Sequence, residues 1–196
     1  MTRTVNEDRP RELREAIVRY LVTHGLAGLS LRPLAKAVGS SPRVLLYYFG
    51  SKEKIVMQAL AEVRLKQRAA YGAVAADSFA QECWIIWKRM SAPDSEPLFR
   101  LFFEVYGLAL RQPKLYKAFL HSTIEDWLQL MASQLLRQGF SLSEARALGT
   151  IVIAGLRGFM LDYCTTHDRK RIDHAVAAWL DGFNTLSSDL KRKGVK

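Results

Sequence analysis

The sequence predicts an all-helical protein. Apolar residues recur at spacings of three and four along the whole chain, and no stretch alternates between apolar and polar residues with period two. Serine or proline precedes most of the apolar stretches and glycine follows several of them, which is how helices commonly begin and end. These signals divide the 196 residues into nine predicted helices without a sheet.

Four helices are predicted in the first third of the chain. The second and third are short and are separated only by the two small residues Gly39 and Ser40. Ser30, Ser41 and Ser51 stand where each of the last three begins, and a serine there can cap the first turn. The predicted helices cover residues 8–24, 30–38, 42–49 and 52–70.

Five longer helices are predicted in the rest of the chain. Ser78 with Gln81, and Ser141 with Glu144, have the spacing of a capping box. The segment 91–97, SAPDSEP, interrupts the helical pattern. The predicted helices cover residues 78–91, 97–112, 114–138, 141–165 and 169–190.

Basic residues are concentrated at one end of the chain. The formal net charge is +10, of which residues 1–68 carry +7 and the tip, residues 191–196, carries +4, whereas residues 69–190 carry −1. A nucleic-acid-binding module joined to a domain with another role would have this distribution. We therefore predict a DNA-binding head, residues 1–54, and a body, residues 55–196.

The three short helices of the head have the pattern of a helix-turn-helix DNA reader. In that motif the second helix braces the third, which enters the major groove. The small residues at the turn allow close approach, Leu45 and Phe49 would face inward, and Arg43, Tyr47 and Tyr48 would face outward. A three-helix bundle whose polar face only meets water has the same spacing, and the basic charge favours the DNA reader.

The segment 28–53, GLSLRPLAKAVGSSPRVLLYYFGSKE, resembles the N-terminal DNA-binding region of the tetracycline-repressor (TetR) family of transcriptional regulators. The resemblance extends over about residues 9–60. It implies a nine-helix fold and a homodimer that binds a palindromic DNA operator, usually as a repressor, with a small-molecule effector held in the body. The residues that match the family pattern are Ser30, Leu34, Ala35, Gly39, Leu45, Phe49, Ser51, Lys52 and Glu53.

The resemblance also implies which residues contact DNA. Arg43 and Leu46 depart from the family pattern, so the operator cannot be taken from a relative. An arginine favours guanine, whereas Leu46 or Val44 favours a thymine methyl group. Arg3, Arg9 and Arg11 are further candidates for phosphate contacts, and Tyr48 could equally be a core aromatic residue. The predicted DNA contacts are Ser30, Arg32, Ser41, Pro42, Arg43, Val44, Leu46, Tyr47, Tyr48 and Lys52.

The body is rich in aromatic residues, for which core packing is the simplest interpretation. Three charged residues lie within apolar helices, namely Glu104, Arg157 and Asp162, and each is expected to form an ion pair or to contact a ligand, with the ion pair favoured. The predicted lining of the effector pocket is Trp84, Trp87, Phe103, Glu104, Tyr106, Trp127, Arg157 and Phe159.

The last two helices are predicted to form the dimer interface. The eighth is apolar on most of its circumference and contains small residues that permit close approach. Two recognition helices related by a dyad would read half-sites one DNA turn apart or a multiple of it. The predicted interface residues are Ile151, Gly155, Val176, Trp179 and Phe183.

Other classes of protein are disfavoured. The sequence has no HExxH, GxSxG or phosphate-loop pattern and only two cysteines, so we expect no enzyme, cofactor or metal site. His167, Asp168, Asp173 and His174 could hold a metal, but a helix cap is the favoured interpretation. A protein that binds membranes or DNA by charge alone would have a broadly basic surface, whereas this chain concentrates its basic residues in the head. The apolar runs are short, so we expect a cytoplasmic protein without a membrane partner.

Overall fold

The computed structural model describes residues 8–74 and 76–194, and these residues form nine α-helices and no strand. The predicted fold class and helix order are confirmed. The observed bounds differ from the predicted ones by only a few residues. The helices are α1 (Arg9–His24), α2 (Leu31–Ala37), α3 (Pro42–Phe49), α4 (Lys52–Gly72), α5 (Phe79–Met90), α6 (Glu96–Arg111), α7 (Pro113–Arg137), α8 (Leu142–Thr166) and α9 (Arg169–Gly194).

Serine side chains cap four of the helices. Ser41, Ser51 and Ser78 each accept a hydrogen bond from the backbone N–H three residues later. Ser141 and Glu144 form the full reciprocal capping box that their spacing predicts. The predicted box at Ser78 is only half formed, because the Gln81 side chain accepts from the backbone N–H of Asp77, one residue earlier.

The turn between α2 and α3 is closed by backbone geometry. Gly39 has a φ of +62°, a conformation that costs glycine little and other residues more. The N–H of Ser40 then donates to the carbonyl of Ala35 at 2.8 Å. This turn brings Leu34 of α2 and Leu45 of α3 into one buried cluster. The arrangement is the predicted helix-turn-helix.

Two apolar cores hold the chain together. The head core joins α1–α4 to Leu101, Val105 and Ala109, which lie on one stripe of α6. The body core is formed by α5, α7, α8 and α9 with the end of α4, around the fully buried Trp87. Packing therefore continues across the boundary predicted at residue 54, because α6 of the body closes the core of the head.

Helix α8 is long and apolar enough that its length and composition alone would allow it to cross a membrane. One such helix is weak evidence, since a core helix of a globular protein meets the same test. Leu148, Val152, Leu156 and Met160 form its buried stripe, and they belong to the body core. Packing within the chain therefore explains the buried stripe of α8.

Gly155 tests the packing of α8 on α9. A Cβ at this position would lie 2.5 Å from Cζ2 of Trp179. We therefore expect Gly155→Ala to lower the free energy of unfolding by about 1–3 kcal/mol, because the indole must shift. Chemical denaturation measures the change.

Gly107→Ala is the matched control, since Gly107 also lies inside a helix but a Cβ there would meet no atom within 4 Å. It should raise the unfolding free energy by about 0.5–1 kcal/mol through helix propensity. Equal effects of the two substitutions would contradict the contact with Trp179.

Candidate nucleic-acid interface and body cavity

Helix α3 presents an exposed face. Leu45 and Phe49 are buried in the head core, whereas Arg43, Val44 and Leu46 are exposed. Tyr47 is 82% exposed, a large value for an aromatic side chain. Six of the eight α3 residues thus remain at least partly accessible on a helix of only two turns, which is the size that enters a major groove.

Cations that form no salt bridge among the described residues surround this face. No salt bridge among the described residues involves Arg32, Lys36, Arg43, Lys52 or Lys54. All five side chains are exposed. In contrast, most basic residues on the outer side of α1 and α4 form ion pairs. The unpaired positive charge is therefore concentrated around α2, α3 and the start of α4.

The N-terminus of α4 combines a side-chain charge with the helix dipole. Lys52 is the first residue of α4, and its Nζ lies 3.4 Å from the carbonyl oxygen of Leu29. The amides at a helix start and a lysine there both favour an anion. Ser30, the N-cap of α2, is exposed and its hydroxyl makes no cap hydrogen bond. Lys52 and Ser30 are thus accessible for phosphate contacts.

Tyr48 occupies both environments that the sequence left open. It is partly buried against the head core, and its ring meets that of Tyr47 edge to face at 5.2 Å.

Arg9 donates to the carbonyl of Gly39 at 3.1 Å, and Arg11 pairs with Asp8, so both lie at the start of an ordered helix. Arg3 lies outside the described residues.

The body contains a cavity open at one side. Its volume, counted as the space open to the centres of water-sized molecules, is about 70 Å³. Four of the predicted pocket residues line it: Phe103, Tyr106, Trp127 and Arg157. The sequence interpretation did not include the rest of the wall, which α4–α8 supply from Gln67, Tyr71, Ile86, Met90, Phe99, Phe102, Met131, Ile153 and Leu156.

The other four predicted pocket residues lie outside this cavity. Trp87 is fully buried in the body core, where its Nε1 donates to Asp173 Oδ1 at 2.6 Å. Phe159 packs between Trp87 and Trp179, and Trp84 lies beneath the ammonium of Lys88. Periodicity marks all of them as inward-facing but does not distinguish a core from a cavity wall. Glu104, the fourth, lies at a different face of α6.

Glu104 binds the connection between α1 and α2. Its carboxylate accepts a hydrogen bond from the backbone N–H of Leu26. Gly25, beside it, has a φ of +69°, and a Cβ there would lie 2.7 Å from Glu104 Oε1. Glycine at position 25 thus permits both the turn and the close approach of the carboxylate. The expected ion pair of Glu104 is not formed among the described residues.

The other two charged residues differ from each other. Asp162 forms the expected ion pair, since Arg171 donates to its carboxylate at 2.7 and 2.9 Å, and this contact lowers the pKa of Asp162. Arg157 forms no ion pair within the part of the chain that the structure describes. Its guanidinium lies 5.5 Å from the centre of the Tyr106 ring, and burial lowers its pKa.

Two polar atoms at the cavity have no hydrogen-bond partner among the described residues. They are Nη2 of Arg157 and Oη of Tyr106. Burial raises the pKa of Tyr106, so this phenol is neutral near pH 7 and can donate a hydrogen bond. No Asp or Glu lines the cavity. Its wall is therefore mainly aromatic and apolar, with one positive charge, the amide of Gln67 and the unpartnered hydroxyl of Tyr106.

The predicted dimer residues fall into three groups. Val176 and Phe183 are buried in the body core against α5 and α8, so a second subunit cannot reach them. Gly155 and Trp179 pack on each other within the chain. Ile151 is 41% exposed. Of the five, it has the most accessible position for an intersubunit contact.

The polar residues between α8 and α9 form a helix start. Asp168 accepts from the backbone N–H of Arg171, as a cap does. Asp173 accepts from Trp87, Lys88 and Arg169. Within residues 8–74 and 76–194 no group of three His, Cys, Asp or Glu side chains is placed to bind a metal ion.

The exposed recognition helix, the unpaired cations around it and the helical body together define a helix-turn-helix DNA-binding protein. Residues 13–59 match the model of the bacterial regulatory proteins of the tetR family. This segment of the chain is therefore a DNA-binding domain of the tetR family. No curated protein matches the chain.

Solved structures share the whole fold at low sequence identity. A transcriptional regulator from Rhodococcus sp. Rha1 superposes with a TM-score of 0.74 at 19% identity, covering 89% of this chain and 95% of that one. GusR of Salmonella enterica gives 0.73 at 14%, covering 92% and 97%. The multidrug binding protein EbrR complexed with proflavin gives 0.62 at 22%, covering 87% and 98%.

Proposed function

We propose that the protein is a homodimeric, cytoplasmic repressor that binds a palindromic DNA operator and is released by a small-molecule effector in the body cavity. The observation that carries this proposal is the exposed face of α3, with five unpaired cations around it. A DNA duplex supplies both partners that this surface lacks, namely base edges for Arg43, Val44 and Leu46 and phosphates for the cations. Release by an effector requires in addition that the cavity influences the head.

Helix α6 supplies a route for that influence. Leu101 and Val105 on one stripe belong to the head core, while Phe103 and Tyr106 line the cavity. Glu104, between them, holds the α1–α2 connection through Leu26. An effector that shifts α6 would therefore move the head relative to the body. In a dimer this movement changes the spacing of the two recognition helices and lowers operator affinity.

The second copy would pack on the exposed side of α8 and α9. Ile151 and Gly158 lie one turn on either side of Gly155 on α8, and Ala175 and Gly182 flank Trp179 in the same way on α9. Because Gly155 and Trp179 touch, these flanking residues lie beside one contact between the helices. Small and apolar residues at this spacing allow two helix pairs to approach closely around a dyad.

Selection of bound sequences from a random duplex DNA pool, with the mass of the protein measured in parallel, tests this function. The proposal predicts a dimer and a palindromic motif with half-sites about one helical turn apart or a multiple of it. A binder that uses charge alone would be a monomer or dimer that recovers no motif at any salt concentration.

Arg43 sets part of the operator sequence. Its guanidinium is exposed and unpaired on α3, so it can donate two hydrogen bonds to a guanine. We expect Arg43→Ala to remove the preference at one base pair per half-site, equivalent to about 1–3 kcal/mol against the wrong base. The measurement is the same selection, repeated with the variant.

Arg32→Ala is the control for Arg43, because Arg32 is also exposed and unpaired but lies on α2. It should weaken binding to all sequences alike and reduce the salt dependence by one phosphate contact. An unchanged base preference in Arg43→Ala would contradict the placement of Arg43 in the groove.

Ile151 tests the proposed dimer face. A carboxylate there would be buried without a partner in the dimer but would remain in water in the monomer. Ile151→Asp should therefore yield monomers that retain the helical fold and lose operator affinity by about a hundredfold or more, because each monomer reads a single half-site. Sedimentation and circular dichroism measure the two effects.

Leu110→Asp is the matched control, since Leu110 is 86% exposed and belongs to α6 rather than to α8 or α9. It should remain a dimer with the affinity of the wild type. Dimers of the Ile151→Asp variant would show that the second copy packs elsewhere.

A further inference from the structure

The cavity of the body has an uncompensated positive charge. Arg157 reaches the wall from α8, and its Nη2 has no hydrogen-bond partner in the described part of the chain. Its guanidinium lies over the ring face of Tyr106. A partly desolvated guanidinium without a carboxylate is costly, and proteins normally pair such a group.

The hydroxyl of Tyr106 adds a neutral donor to the same wall. Like Nη2 of Arg157, it is buried and unpartnered among the described residues. The guanidinium lies against the ring face of Tyr106 rather than against its hydroxyl, so the two groups do not satisfy each other's hydrogen bonds. Both groups can donate, so one acceptor on a bound molecule would satisfy both, and a negatively charged acceptor would also compensate the guanidinium.

The rest of the wall determines the body of the molecule that carries this acceptor. Phe99, Phe103 and Trp127 contribute aromatic surfaces, and Ile153 and Met131 contribute aliphatic ones. Apart from Arg157 and the tyrosines, Gln67 is the one lining residue with a polar side chain, an amide. Such a wall excludes highly hydrated anions and suits an apolar or aromatic group attached to a single anionic head.

We propose that the effector is a hydrophobic carboxylic acid, with its carboxylate bound by Arg157 and Tyr106 and its apolar part against the aromatic wall. This inference rests on the proposed function of the cavity. A planar guanidinium binds a carboxylate through two parallel hydrogen bonds, which an ammonium or a neutral amide cannot replace. The cavity thus differs in charge preference from a site for cationic aromatic compounds, because no carboxylate lines it.

Matched pairs of ligands separate charge from shape. Benzoate, 2-naphthoate and octanoate are each compared with the primary amide of the same skeleton, and the cation proflavin serves as the opposite charge. Calorimetry with the full-length wild-type dimer measures the affinities. We expect at least one acid to bind about tenfold to a hundredfold more tightly than its amide, and proflavin to bind more weakly than that acid.

Variants at the two donors locate the bound carboxylate. Arg157→Met keeps an unbranched apolar side chain, and it should remove the preference for the acid over the amide while leaving the affinity for the amide unchanged. Arg157→Lys should restore part of the preference, because it keeps the charge but not the planar fork. Tyr106→Phe should lower acid affinity about threefold to tenfold, the effect of one hydrogen bond.

The unfolding temperature shows whether Arg157 is instead a structural residue. If its charge serves a ligand, Arg157→Met should be at least as stable as the wild type, since it removes an unpaired cation from an apolar wall. A large loss of stability in Arg157→Met and in Arg157→Lys alike would overturn the assignment. Equal binding of acids and amides by the wild type, or no binding of any acid, would overturn it as well.

Operator binding distinguishes failure of this inference from failure of the proposed function. If a dimer binds a palindrome but its cavity shows no preference for acids, the proposed regulator function stands and the proposed carboxylate site is refuted. If a dimer binds the acid in an Arg157-dependent manner but recovers no DNA motif, the carboxylate site stands and the proposed regulator function is refuted.

Discussion

The structure depends on the way α6 is shared between two apolar cores. Leu101, Val105 and Ala109 recur every four residues and complete the core of the DNA-binding head. Phe99, Phe103 and Tyr106 lie on the adjoining side of the same helix and line the body cavity. Because packed interiors resist small displacements, a rigid helix fixed in both places transmits a shift from one to the other.

Glu104 adds a hydrogen bond from α6 to the α1–α2 connection of the head. The α1–α2 connection has only a few residues, and its Leu26 N–H is held by a carboxylate from the body. Gly25 is the residue that permits this contact, because any side chain there would meet that carboxylate. Sequence periodicity placed Glu104 within an apolar helix, but the partner, a backbone amide 78 residues away, carries no signal of its own in the sequence.

The helices and the recognition motif could be predicted because their signals are local. Serine caps, the Gly39 turn and the spacing of Leu45 and Phe49 each act within a few residues. The cavity and the dimer face could be predicted only in part. Both depend on which apolar residues of a helix pack against a neighbouring helix and which of them stay accessible. Trp87 and Phe183 have the same helical spacing as residues that line the cavity or lie at the surface, yet both are buried in the body core.

Hydrogen exchange with operator DNA tests the coupling through α6 most directly, and it requires no effector. Coupling between sites is reciprocal, so operator binding should change the amide exchange rates of the cavity-lining residues of α6 by about fivefold or more. These residues are Phe99, Phe102, Phe103 and Tyr106. In Glu104→Ala, which lacks the bond to Leu26, that change should shrink while operator binding itself persists. An exchange response confined to α1–α3 and the start of α4 in the wild type would contradict the coupling.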